Sequence, residues 1–116
     1  MEQFLLLALD DPHHAEELSP QEMQAIIAKY QAWVDGLAEA GQLVSSQKLA
    51  DGEGRVLRTV NGGLEVVDGP YTETKEVVGG YFLIRAESYD AAVAIARSCP
   101  HVEGGMTMEV RRIEQT

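Results

Sequence analysis

Phe4-Leu5-Leu6-Leu7-Ala8-Leu9 is apolar at every position. Successive side chains of a strand point to opposite faces, so a strand over Gln3 to Leu9 has no face suited to water and must be covered twice. Tyr81-Phe82-Leu83-Ile84 has the same character. Two such strands belong in the middle of a sheet, and the elements around them decide which sheet.

After Leu9 the chain becomes polar from Asp10 to Leu18, and a helix then begins. Ser19 is placed to cap it, Pro20 suits its first position, and Glu22 completes a capping box. Met23, Ile26, Ile27, Tyr30, Trp33, Val34 and Leu37 keep helical spacing, and Gly41 can close the C-terminus. The expected role of Tyr30 and Trp33 on this stripe is core packing. A more polar strand, Gln42 to Leu49, reads as an edge and leads to a turn at Asp51-Gly52-Glu53-Gly54. Arg55 to Val60 and Leu64 to Val67 flank Asn61-Gly62-Gly63, a turn sequence that accepts the left-handed backbone of a tight hairpin.

Beyond Tyr81 to Ile84, Ser88 can cap a second helix running to about Cys99 and ended by Pro100. The last strand candidate, Met106 to Ile113, alternates Met106, Met108 and Val110 with Thr107, Glu109 and Arg111, giving one dry and one polar face. The order β-α-β, hairpin, β-α-β is that of an α+β, ferredoxin-like split βαβ unit with an inserted β-hairpin. Its first and third main strands are central, which are the two apolar segments. Right-handed crossovers put both helices on one face of the sheet, yet the central strands are apolar on the other face too. A second copy packed on that open face would resolve the mismatch, so a homodimer is expected.

A chain of 116 residues is one domain, 1–116, with 45% hydrophobic and 24% charged residues. Its 19 acidic against 9 basic residues give a formal charge of −10, which repels polyanions, so neither nucleic acid nor an anionic membrane is an expected partner. The apolar run Phe4 to Leu9 is too short to span a bilayer. The single Cys99 forms no internal disulfide, and a cytoplasmic location is expected. No phosphate loop, nucleophile elbow or metal-ligand spacing is legible, so no cofactor and no metal are expected.

The candidate site is the loop 68–76. Asp68-Gly69-Pro70 needs only a turn, but Tyr71, Glu73, Lys75 and Glu76 follow at once, at the approach to a central strand. Gly79 and Gly80 mark a bulge or a close approach by another backbone. On the last strand Arg111 faces the open side, paired with Glu109 or holding a carboxylate. In this reading Asp68 is the base or orienting carboxylate, Tyr71 walls a cleft, Glu73 lies beside it, and Lys75 or Arg111 holds an anionic group. His13 and His14 read as loop residues, either of which could fold back over a cleft. Cys99 reads as a small buried residue.

The run Asp68-Gly69-Pro70-Tyr71-Thr72-Glu73-Thr74-Lys75-Glu76, with Gly79-Gly80-Tyr81 and Glu109-Val110-Arg111, resembles the DGPF branch of the YCII-related (YciI-like) proteins, with tyrosine in place of the phenylalanine. The resemblance covers nearly the whole chain, including the helix start at Ser19-Pro20-Gln21-Glu22. It implies a ferredoxin-like fold and a dimeric α+β barrel. The function of the family is mostly unassigned; some relatives use a first-helix histidine with an aspartate as an acid–base dyad, and one branch dehalogenates a hydroxylated aromatic ring. Tyr30 falls where that histidine would be, and the place of the aspartate falls near Cys99, so the dyad is not carried over to this chain. For the DGPF branch the resemblance further implies a link to extracytoplasmic-function sigma factors, and with it the alternative of a non-enzymatic regulatory module.

Overall fold

A computed structural model describes residues 1–11, 18–69 and 76–115. Strand β1 (Glu2–Asp10), helix α1 (Pro20–Glu39) and strand β2 (Leu43–Lys48) come first. The ribbon β3 (Arg55–Val60) and β4 (Gly63–Asp68) follows, then β5 (Val77–Ala86), α2 (Tyr89–Arg97), the short helix α3 (Pro100–Glu103) and β6 (Thr107–Arg112). The main sheet is antiparallel in the order β2-β5-β1-β6, so the two fully apolar segments are its central strands. This is the α+β topology of a split βαβ unit. Among the described residues no helix is long and apolar enough to cross a membrane.

Alternation explains where the core sits. Phe4 and Leu6 of β1 and Ile84 and Ala86 of β5 point to the helix layer and are buried against Leu37, Ala92 and Ala96. Each fully buried Phe, Leu or Ile side chain contributes about 1.5–3 kcal/mol from its removal from water. Met108 and Val110 of β6 pack on the same cluster, as their alternation requires. Trp33 joins it edge-on to Phe82, with ring centroids 4.8 Å apart, and its Nε1 donates to Ser98 Oγ at 2.9 Å.

Helix α1 starts on the expected capping box: Ser19 Oγ accepts from the Glu22 amide at 3.1 Å, and Glu22 Oε1 accepts from the Ser19 amide at 3.2 Å. It ends before Gly41, which takes φ +72°. Its apolar stripe, however, is longer than the core beneath it. Leu37 is buried, whereas Met23 and Ile27 near the start are exposed. The first half of α1 therefore overhangs the end of the sheet.

Two boundaries differ from the sequence expectation. Pro100 does not end α2, which stops at Arg97 with Ser98 as its C-cap; it opens α3 at the first helical position, where its missing amide costs nothing. Strand β5 begins at Val77 and runs through both glycines. Gly79 is the extra residue of a bulge, since Ala8 pairs with Gly80 and Leu9 with Val78. The Asp10 carboxylate lies over Gly79, where a Cβ would collide with it, and a Cβ on Gly80 would sit 2.9 Å from the Gln47 carbonyl oxygen.

Asp10 can rotate away, but Gln47 belongs to the paired strand and cannot. Gly80→Ala is therefore expected to cost roughly 1–3 kcal/mol in urea unfolding, as overpacking against backbone does. Gly36→Ala on α1, where a new Cβ meets nothing within 4 Å, is expected to gain about 0.5–1 kcal/mol.

Candidate functional site

The overhanging half of α1 walls a cleft of about 1290 Å³ at one end of the sheet. Met23, Ile26 and Tyr30 line it from the helix, Leu9 to Asp11 from the end of β1, and Glu76 to Gly79 from the start of β5. The turn after β2, the base of the β3–β4 ribbon at Arg55, Val56 and Gly69, and the segment from Pro100 to Thr107 close its other sides. Apolar stripe residues that the core leaves uncovered thus become one wall of a space large enough for a small organic molecule.

At its inner end lies a buried polar group. His101, on α3, is 4% exposed. Its Nε2 is 3.0 Å from the Leu9 carbonyl oxygen, and its Nδ1 is 3.1 Å from the Tyr30 hydroxyl. A carbonyl oxygen can only accept, so Nε2 carries the hydrogen; in the neutral ring Nδ1 is then a lone pair, and Tyr30 donates to it. Burial, with Cys99 and Asp10 adding smaller effects of the same sign, pushes the Tyr30 hydroxyl up to about 12. Tyr30 therefore holds its proton at neutral pH and directs it at His101, while its oxygen keeps a lone pair.

Tyr30 thus does more than the packing expected of it. His101 leaves no signal in the sequence, because its partners lie 71 and 92 residues away along the chain. Cys99, next to this pair, is buried as expected, and burial raises its thiol against the opposing hydrogen bonds of the His101 and Val102 amides. Burial thus works against the thiolate, the form a nucleophilic cysteine needs.

The residues singled out in the sequence are placed differently. Asp68 ends β4 with its side chain 91% exposed, 3.4 Å from Arg55 Nη1. Arg111 lies on the β6 edge of the main sheet, 3.8 Å from Glu109, which is the ion pair weighed for it. Asp68 and Arg111 therefore belong to different sheets. Tyr71, Glu73 and Lys75, with His13 and His14, lie outside the described residues. Of the cleft's basic residues, Lys48 is tied to Asp51 at 2.8 Å and Arg55 is shared between Asp68 and the Gly54 carbonyl. Among the described residues no group of three or more His, Cys, Asp and Glu could hold a metal ion.

The fold resembles that of 5-chloro-2-hydroxyhydroquinone dehydrochlorinase from Burkholderia phenoliruptrix, solved in complex with 2,5-dihydroxybenzoquinone, at 20% identity and a TM-score of 0.48, over 98% of this chain and 95% of that one. No curated protein matches the chain. The family model that does match is that of the YCII-related domain, over residues 2–115, and the chain belongs to that family.

Proposed function

We propose that the protein binds a small organic molecule in the α1 cleft and moves a proton on it through Tyr30 and His101. The observation that carries this reading is the Tyr30–His101 hydrogen bond at the inner end of an open, partly apolar cleft. A ligand with an aromatic or short apolar body lies against Met23 and Ile26, and its acidic O–H donates to the Tyr30 oxygen. As that proton moves to Tyr30, the Tyr30 proton moves to His101 Nδ1. The ligand becomes the anion, His101 the imidazolium, and Tyr30 is a phenol before and after. Free tyrosinate, which the raised pKa makes costly, never forms. The reverse order of transfers protonates a ligand anion.

Asp68 and Arg111 take no part in this centre. The run Asp68-Gly69-Pro70-Tyr71 supports membership of the DGPF branch. The open face of the main sheet supports a homodimer, the dimeric α+β barrel. Across it the paired rows read Ser45, Leu83, Leu5, Arg111 and Gln47, Tyr81, Leu7, Glu109, an apolar centre between polar edges. A second reading is a non-enzymatic interaction module, whose sigma-factor link rests on the resemblance to the DGPF branch alone.

A thermal-shift screen of small phenols, enols and aromatic carboxylic acids tests the first reading. Hits are expected to bind Tyr30→Phe and His101→Gln about tenfold more weakly or worse and to bind Asp68→Asn and Arg111→Ala as wild type does. Hits that bind all four variants equally would place the ligand elsewhere.

A further inference from the structure

The ribbon β3–β4 is built as though part of its support were missing. Asn61 and Gly62 take φ +50° and +80°, the paired left-handed values of a tight hairpin turn, and the strands pair from Arg55 with Asp68 to Val60 with Gly63. Opposed residues share a face, so Leu57 with Val66 and Thr59 with Leu64 lie on one face with Arg55 and Asp68. On that face Leu57 is 61%, Leu64 69% and Val66 54% exposed. Among the described elements the ribbon packs mainly on itself. A two-stranded ribbon alone is marginal in water, and one with an apolar face bare is more so.

The molecule's dimensions agree with this. The Cα atoms extend 48 by 45 by 19 Å. Nineteen ångströms is the depth of one sheet and one helix layer. Four strands span only about 15 Å across a sheet, so the main sheet alone does not fill the two long extents, and the ribbon, which packs mainly on itself, adds to them. The radius of gyration is accordingly 16.3 Å, where a compact domain of this length has about 13 Å. The accessible surface is 8271 Å² for 12.7 kDa, about 2000 Å² more than a folded monomer of that mass exposes. An excess of that size per chain is what an obligate homodimer covers.

Charge selects the same partner. The chain carries −10, so two copies repel except where the acidic excess is absent. The ribbon is such a place. Arg55 and Arg58 balance Glu65 and Asp68, with Arg58 2.9 Å from Glu65. The open face of the main sheet, with Arg85 and Arg111 against Glu109, is another.

We infer that the β3–β4 ribbon is an arm that lays its Leu57, Leu64 and Val66 face on a second copy of this chain. The second copy is the one proposed to pair through the open sheet face, and the arm extends that contact. Because Arg55, Val56 and Gly69 at the arm's base line the cleft, docking the arm also fixes one cleft wall.

Sedimentation velocity over a dilution series of the full chain tests this without any ligand. Wild type is expected to be a dimer. Leu57→Ser with Leu64→Ser is expected to weaken it about tenfold or more, while Val60→Ser on the opposite face leaves it unchanged. Trp33 fluorescence, reporting the core far from the arm, is expected to be the same in all three. A dimer indifferent to the double substitution overturns the arm and leaves the sheet-face pairing standing. A wild type monomeric at every concentration overturns both, because the arm's partner is then another molecule. Neither result bears on the ligand screen, which reads Tyr30 and His101.

Discussion

His101→Leu is expected to lower the stability of the fold by roughly 2–4 kcal/mol in chemical denaturation, although leucine is close to histidine in size and better suited to burial. The cost comes from what the imidazole leaves behind. The Leu9 carbonyl loses its donor at 3.0 Å, and the Tyr30 hydroxyl loses its acceptor at 3.1 Å. Each buried polar group without a partner costs about 1–3 kcal/mol. Tyr30 faces the cleft and can turn to water, so its share is the smaller.

A pair of further variants divides the effect. Gln at position 101 can still donate to Leu9 and is expected to lie between wild type and His101→Leu. In the Tyr30→Phe, His101→Leu double variant the hydroxyl is gone, so its loss of partner is no longer counted. The two substitutions are then expected to be less than additive by about 1 kcal/mol. Strict additivity, or a His101→Leu change within about 0.5 kcal/mol, would mean that the two hydrogen bonds do not hold His101 in place.

The difference between what the sequence discloses and what it hides follows from range. Ser19 and Glu22 are three residues apart and meet within one helical turn, so their capping box can be read directly. The central positions of β1 and β5 are equally legible, because apolar residues on both faces of Phe4 to Leu9 and Tyr81 to Ile84 fit only the middle of a sheet. The start of β5 is obscured for a physical reason. Glycines usually interrupt strands, but here Gly80 continues one because the neighbouring Gln47 backbone needs the space a Cβ would fill.

The site is hidden more deeply. Tyr30 belongs to a regular apolar stripe, and periodicity cannot show that the stripe outruns its core. Only the packed molecule reveals that Leu37 reaches the sheet while Met23 and Ile27 do not. His101 follows Pro100, whose expected role as a helix terminator conceals the turn of helix it begins. The charged loop after Asp68 draws attention because charge density in a loop is a local signal. A pair such as Tyr30 and His101, 71 residues apart along the chain, leaves none.

The alkaline limb of stability is expected to separate wild type from Tyr30→Phe. The folded state holds the Tyr30 proton up to about 12, against an ordinary value of 10.0, with burial the largest cause. A group whose pKa is raised by folding binds its proton more tightly in the folded than in the unfolded chain. Its contribution is therefore complete below pH 10.0 and is lost as the pH climbs through about 12. The loss is on the order of 2 kcal/mol, since a tenfold gain in proton affinity is worth about 1.4 kcal/mol and water admitted by the cleft takes back part of it. Near neutral pH, Tyr30→Phe should be about 1 kcal/mol less stable than wild type, because His101 Nδ1 loses its donor. Phenylalanine has no proton to lose, so the variant escapes Tyr30's share of the alkaline decline, and the two curves should converge or cross in strong base. Urea unfolding followed by Trp33 emission across that range measures the gap, and absorbance titration of the tyrosines should lose its latest step in the variant. Parallel stability curves would show that Tyr30 ionises no later in the folded chain than in the unfolded one, and the relay to His101 would lose the reason it has for keeping Tyr30 a phenol throughout.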